Sequence, residues 1–120
     1  DVGEVTDDVV KYCSLSDYVV FESNYDLDML LGGSYPPELK VRIIQGHGHL
    51  SNEQAASAVK RFWHKGLKHI FLCHLSENNN TPALAHSSIA KALKSLGVDI
   101  NSQTKITCLP RRTTSDLFLL

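Results

Sequence analysis

The sequence predicts an α/β fold, in which helices alternate with short buried strands. The 120 residues are enough for one domain with one modest core. Apolar residues make up 42 % of the chain and charged residues 21 %, as is ordinary for a globular protein. Two short apolar runs at 18–21 and 69–73 have the length and residue types of buried strands, and helix signals separate them. This alternation is typical of layered α/β domains.

The first half of the chain begins with a predicted helix that ends at about Ser14. Thr6 is a suitable N-cap, and the two acids after it favour the positive end of the helix dipole. Residues 18–21 are then predicted to form a buried strand. Two more helices follow: one over 26–31, stopped by Gly32-Gly33, and one opened by Pro36-Pro37 that ends near Gly46.

The second half contains two stronger helix signals. Ser51 and Gln54 form a capping box before an Ala-rich helix that is predicted to end near Gly66. After the strand at 69–73, Thr81 caps a helix that Gly97 ends. The predicted core face of this helix comprises Ala85, Ile89, Ala92, Leu93 and Leu96, and closing strands are predicted at 105–109 and 116–120.

Composition narrows the class of protein. No apolar run approaches the roughly 20 residues of a membrane span, and the first residues lack the layout of a signal peptide. The three cysteines have no metal-finger spacing, so we expect reduced buried thiols and a cytoplasmic location.

Charge is distributed unevenly along the chain. Residues 1–38 carry nine acids and one base, whereas residues 39–120 carry four acids and eleven bases. This asymmetry suits an acidic metal-facing region beside a basic nucleic-acid track, although it also suits charged faces that only solvate helices. The bases that could meet phosphates are Lys60, Arg61, Lys65, Lys68, Arg111 and Arg112.

Polar residues follow the predicted strands, where catalytic side chains of α/β proteins tend to lie. Glu22 comes directly after four apolar residues, so its carboxylate needs a partner, structural or catalytic. His74 follows the second strand and could be a metal ligand or a hydrogen-bonded structural residue. The pair His47 and His49 has H-x-H spacing, but the residues after it do not complete a metal motif.

Taken in order, four segments resemble metallo-β-lactamase-fold hydrolases of the YycJ/WalJ type, which are more distantly similar to ribonuclease Z. The segments are Asp1-Val2-Gly3, residues 21–26, residues 48–55, and residues 73–76 with Asn78-Asn79. The resemblance implies that residues 1–120 are the C-terminal half of a four-layer αββα metallo-β-lactamase sandwich. The N-terminal half, with its H-x-H-x-D-H motif, is not part of this sequence.

The resemblance also implies a site with two divalent metal ions, zinc or manganese, in the full-length protein. It assigns Asp1 to the carboxylate that bridges the metals and His74 to a ligand of the second metal. These are two of the ligands that such a site needs, so we expect weak metal binding, or none, and no activity in this chain alone.

A proton relay beside the metals is implied by the same resemblance. His49 would act as general acid at the leaving oxygen, and Glu22 would orient it. Tyr25 stands where relatives often have His, so no role carries over to it. Supporting polar residues would be Asn24, Asp26, Ser51, Asn52 and Ser76, with Asn78 and Asn79 lining the substrate groove.

The leading hypothesis is therefore a dinuclear-metal phosphodiesterase, a DNA rather than RNA exonuclease, of which this chain is a fragment. Its expected partners are DNA, the N-terminal half of the same domain and, in its absence, a second copy in a homodimer; no membrane is expected. The alternative is a stand-alone, non-catalytic α/β interaction module that lacks the metal-binding half. A nucleotide-binding domain is disfavoured, because Gly32-Gly33-Ser34 follows a predicted helix and not a strand.

Overall fold

The computed structural model describes residues 5–45 and 49–110, and these form an α/β arrangement. The predicted α/β class is therefore confirmed for this part of the chain, whereas Asp1 and the predicted strand at 116–120 lie outside it. In chain order the elements are α1 (Asp7–Ser14), β1 (Tyr18–Glu22), α2 (Leu27–Gly32), α3 (Pro37–Gln45), α4 (Asn52–Phe62), β2 (His69–Cys73), α5 (Pro82–Ser95) and β3 (Lys105–Cys108).

The three strands form one parallel sheet in the order β1-β2-β3. The register pairs Glu22 with Cys73 at the end of the first two strands, and Leu72 with Cys108. Because the strands are parallel, their carboxyl ends meet at one edge of the sheet, and the loops after them lie together there. The four-layer sandwich implied by the resemblance needs a second sheet, and it stays a proposal.

One face of the sheet packs against α4 and α5. Val19, Phe21, Ile70 and Leu72 point to this side, and Phe21 meets Phe62 edge-to-face with ring centroids 5.5 Å apart. On the opposite face Tyr18 and Val20 are 42 % and 52 % exposed. Parallel sheets are usually covered on both faces, so this open face distinguishes the described part of the chain from a complete α/β layer.

Helix caps were predicted well. The Oγ1 of Thr6 accepts a hydrogen bond from the Val9 amide, and that of Thr81 accepts one from the Leu84 amide. Ser51 and Gln54 form the predicted reciprocal capping box at the start of α4. At the other end of α5, Gly97 has a φ of +78°, in the left-handed region that favours glycine.

Three expectations were wrong in detail. Helix α4 ends at Phe62 and not near Gly66, because Trp63 turns into an extended conformation and its indole Nε1 donates to Thr104 Oγ1 at 2.9 Å. Leu96 is 39 % exposed, because it is the C-cap residue of α5 and lies beyond the buried face. The three cysteines are free thiols, but each is half-buried and not fully enclosed.

None of the helices in the described ranges is long and apolar enough to cross a membrane.

Candidate active site

Glu22 places a buried carboxylate at the carboxyl end of the sheet. It is the last residue of β1 and is only 2 % exposed. Its Oε2 accepts a hydrogen bond of 2.8 Å from the backbone amide of Leu50, the residue before the N-cap of α4. A carboxylate this deeply buried needs such donors to offset its lost hydration.

The other oxygen of Glu22 contacts two imidazoles. Oε1 lies 3.1 Å from His49 Nδ1 and 3.2 Å from His74 Nδ1, and both histidine side chains are about half exposed. An ionised carboxylate only accepts hydrogen bonds, so both contacts favour the tautomer that carries its proton on Nδ1. Each ring then has its lone pair on Nε2, the arrangement that suits a metal ligand or a base. We call these three residues the Glu22–imidazole cluster.

His74 has a φ of +57°, an uncommon conformation for a residue with a side chain. Two hydrogen bonds hold this sharp turn after β2. Asn24 Nδ2 donates to the carbonyl oxygen of His74 at 2.6 Å, and the Ser76 amide donates to the Asn24 carbonyl at 2.7 Å. The loop after β1 thus fixes the loop after β2, and with it the direction of the His74 ring. Strained residues of this kind concentrate at functional sites.

Directly after Glu22 in the chain, Ser23 joins a buried polar network with Asn52 and Asn80. The Asn52 and Asn80 amides exchange two hydrogen bonds of 2.9 Å, and Ser23 Oγ donates to Asn52 Oδ1 at 2.5 Å. Asn80 Nδ2 also lies within hydrogen-bond distance of the Ser23 and Asn24 carbonyls. The network ties the loop after β1, the start of α4 and the start of α5 into one rigid support.

The other polar residues that were predicted for the site have different structural roles. Asp26 is the N-cap of α2, with Oδ2 accepting from the Met29 amide at 3.0 Å, and Ser51 is the N-cap of α4. Both therefore have capping roles in the structure. Asn78 donates to the Tyr35 hydroxyl at 3.3 Å. Asn24, Ser76 and Asn79 line a cavity of about 390 Å³ that His49 also lines.

Tyr25 lies beside this cavity but is only 3 % exposed. A parallel bridge pairs it with Ser51. Burial raises the pKa of the Tyr25 phenol, and the nearby Glu53 carboxylate raises it further. The phenol therefore stays protonated at neutral pH.

The donor groups of the described residues determine whether this part of the chain could hold a metal ion by itself. Within residues 5–45 and 49–110, no three His, Cys, Asp or Glu side chains are grouped to hold a metal ion. His74 fits as one ligand, with Glu22 on its Nδ1, but this part of the chain does not supply a complete set. Burial, and then the Glu22 carboxylate, raise the pKa of the Cys73 thiol, so Cys73 is poorly suited to act as a thiolate ligand or nucleophile.

The basic residues do not gather at the Glu22–imidazole cluster. Lys65 and Lys68 precede β2, at the opposite end of the strand from His74. Arg61 pairs with Asp7 of α1 at 3.1 Å. A second cavity, of about 350 Å³, is lined by Arg61 and Glu53 but by no residue of the cluster. Arg111 and Arg112 lie outside the described residues.

Sequence reasoning missed two features of the site. Asn80 was not among the residues predicted for the site, although it is 1 % exposed and central to the polar network. The run Asn78-Asn79-Asn80 before the Thr81 cap was the available signal, since amides repeated at a strand–helix junction can serve loop hydrogen bonds. The contact of Glu22 with His74, 52 residues away, had no local signal at all.

Two curated relatives match most of the chain. It is 38 % identical over 106 residues to exodeoxyribonuclease YycJ of Bacillus anthracis, covering 88 % of this chain and 40 % of the relative. It is 40 % identical over 103 residues to exodeoxyribonuclease WalJ of Streptococcus pneumoniae serotype 2, covering 82 % of this chain and 38 % of the relative. The chain thus spans about two fifths of the length of these relatives.

No protein-family model matches the chain, and no solved structure matches it either. The likeness to the two relatives is well above the level at which chance explains it over such lengths. Together with the order of its motifs, this likeness supports a relationship of the chain to exodeoxyribonucleases of the YycJ/WalJ type.

Proposed function

We propose that this chain forms one part of a metal-dependent exodeoxyribonuclease and contributes the Glu22–imidazole cluster to its active site. The observation that carries the proposal is the single carboxylate oxygen that contacts both His49 and His74. The names of the relatives support nuclease chemistry and a DNA substrate.

In the proposed reaction His49 and His74 have different tasks. His74 would be a metal ligand through Nε2, and Glu22, which accepts its Nδ1 proton, fixes the ring. His49 first takes up a proton on Nε2, while its Nδ1 proton stays hydrogen-bonded to Glu22. As this imidazolium it donates the Nε2 proton to the oxygen that leaves phosphorus, as water adds to phosphorus and the phosphodiester P–O bond breaks, and the proton that the water loses passes to solvent. Two bound divalent ions would supply an activated water and charge stabilisation at the phosphoryl group. Asp1 is proposed as one of the carboxylate ligands that would hold these ions.

We also propose that the chain is the C-terminal half of a metallo-β-lactamase domain. Two observations support this. The relatives are about two and a half times as long as the matched region, and the sheet has an open face that carries Tyr18 and Val20. Strand alternation places Glu22 on that same side, so a second half that covered the face would also border the cluster. That half would supply the missing ligands.

The test is degradation of DNA by the full-length gene product that contains this chain, with Mn²⁺ or Zn²⁺ added. Glu22→Gln should lower kcat/KM by about 10–100-fold, because the amide has no negative charge and only one acceptor oxygen for three donors, the two imidazoles and the Leu50 amide. His74→Ala should also lower the metal content measured by mass spectrometry. His86→Gln, on α5, is the matched control and should leave both unchanged. Full activity in Glu22→Gln would refute the role of the cluster.

A non-catalytic interaction module remains the second candidate. The observation that favours it is the open face of the sheet that carries Tyr18 and Val20, which a partner protein could cover. A full-length gene product that binds no metal and leaves DNA intact would favour this candidate over the nuclease.

A further inference from the structure

A cavity of about 390 Å³ lies directly beside the Glu22–imidazole cluster and has no role in the chemistry described above. His49 lines it, so the cavity and the cluster share a side chain. Its volume is within the roughly 300–1,000 Å³ that is usual for small-molecule sites. A ligand held there would reach the proposed proton donor.

One wall of this cavity is apolar and aromatic. Leu39 and Ile43 of α3 contribute aliphatic side chains, and Tyr35, just before α3, contributes a half-buried ring. Pro36 follows Tyr35 and restricts its backbone to extended conformations. The Tyr35 hydroxyl accepts a hydrogen bond from Asn78 Nδ2 at 3.3 Å. The ring is thus held at both ends, which makes it a pre-organised surface for stacking.

The other wall is polar. Asn24, Ser76 and Asn79 line it. Hydrogen bonds keep these residues in place: the backbone amide of Asn79 donates to Ser76 Oγ at 3.2 Å, and Asn24 Nδ2 donates to the His74 carbonyl oxygen. Among the described residues, the side-chain amide of Asn79 and the Oδ1 of Asn24 have no hydrogen-bond partner. Donor and acceptor groups therefore remain available opposite the apolar wall.

A planar ring with an apolar face and a polar edge matches both walls. Nucleobases have this chemistry, and proteins bind unstacked bases by aromatic stacking combined with hydrogen bonds to the base edge. The cavity has room for one base and not for a duplex. A base at the end of a strand enters such a cavity with the least loss of stacking, whereas an internal base must first be flipped out.

We propose that this cavity binds the terminal nucleobase of a DNA strand. The Tyr35 ring would stack on the base, and the side-chain amide of Asn79 would form a hydrogen bond with the edge of the base. The proposal rests on the proposed nuclease function and deepens it. A terminal base in this cavity brings the adjoining phosphodiester to His49, and an internal one is disfavoured. The cavity thus selects for cleavage at chain ends.

The experiment uses the full-length gene product and single-stranded oligonucleotides that carry the fluorescent base 2-aminopurine, in EDTA so that no cleavage occurs. We expect quenching by stacking, and tighter binding, when the probe base is terminal than when it is internal. Tyr35→Leu should weaken binding of the terminal probe by roughly 10-fold or more, and Tyr35→Phe should restore it. Tyr12→Leu, at an exposed tyrosine of α1 that does not line the cavity, is the matched control.

Cleavage kinetics are measured separately, with Mn²⁺. Tyr35→Leu should raise KM more than it lowers kcat, the pattern of a lost binding contact. Equal binding of terminal and internal probes by the wild type would overturn the proposal without any variant. So would unchanged probe binding in a folded Tyr35→Leu variant. A wild type that binds the terminal probe but never degrades DNA would support the cavity and refute the nuclease function.

Discussion

Asn80 links three segments that are far apart in sequence, so its side chain is expected to matter well beyond its own loop. Asn80→Ala removes bonds to the Asn52 amide and to the Ser23 and Asn24 carbonyls, and it leaves Asn52 buried with one partner fewer. We expect a loss of about 2–3 kcal/mol in the free energy of unfolding. Urea denaturation followed by circular dichroism measures it.

The control for this prediction is Asn101→Ala. Asn101 is exposed, and its recorded hydrogen bond to Asp99 uses the backbone amide and not the side chain. The change in stability should stay within about 0.5 kcal/mol. If the two alanine variants unfold at the same urea concentration, the buried network does not have the importance assigned to it.

A second residue-scale prediction concerns pH. Burial lowers the pKa of His69, and the adjacent Lys105 lowers it further. The unfolded chain therefore binds a proton at this residue at a higher pH than the folded chain does, and folding stability falls as pH drops below about 6.5. In His69→Gln, the decline in stability between about pH 7 and pH 5 should be shallower than in the wild type.

The measurement is a series of urea midpoints at stepped pH. Above about pH 7.5, where His69 is neutral in both states, the wild-type and variant curves should run parallel, which serves as the internal control. The variant also loses the 2.7 Å contact with Thr107 Oγ1 and the stacking on Phe71, so a constant offset is expected. Equal slopes below pH 7 would show that His69 does not contribute to the acid sensitivity.

At the scale of the element, a side chain added at either of two glycines near helix ends should have opposite effects on stability. Gly97 ends α5 with a φ of +78°, whereas Gly32 lies within α2 with open space where a Cβ would be. Gly97→Ala should destabilise the fold by about 1–2 kcal/mol, because a side chain disfavours the left-handed conformation. Gly32→Ala should stabilise it by about 0.4–1 kcal/mol, because it restricts the unfolded chain. The melting temperatures of the two variants, each compared with that of the wild type, show whether the two substitutions change stability in opposite directions.

These elements also indicate what the sequence could predict. Thr6, Ser51 and Thr81 each cap a helix as expected, because an N-cap bond spans only three residues and its signal is local. The strand at 69–73 was predicted with its observed bounds for the same reason. The end of α4 was not, because it depends on the contact of Trp63 with Thr104, 41 residues away. In the site, long-range contacts such as that of Glu22 with His74 could likewise not be predicted from the sequence.

For the molecule as a whole, the open face of the sheet is the feature that most needs explanation. Val20 is 52 % exposed, yet it is paired in register with Phe71, which is buried. Apolar residues in the middle of a parallel strand are normally covered. If the proposed N-terminal half packs here in the full-length gene product, Val20 is buried in that product and exposed in a polypeptide of residues 1–120.

Val20→Lys separates these two situations. In a polypeptide of residues 1–120, lysine on an exposed strand at the edge of the described sheet should change stability by no more than about 0.5 kcal/mol. In the full-length gene product it would bring an unpaired charge into a packed interface, at a cost of about 2–3 kcal/mol. Urea denaturation of both polypeptides, each against its own wild type, measures the difference. An equal effect in the two would contradict the proposal that a second half of the domain covers this face, since burial of Val20 is what distinguishes them.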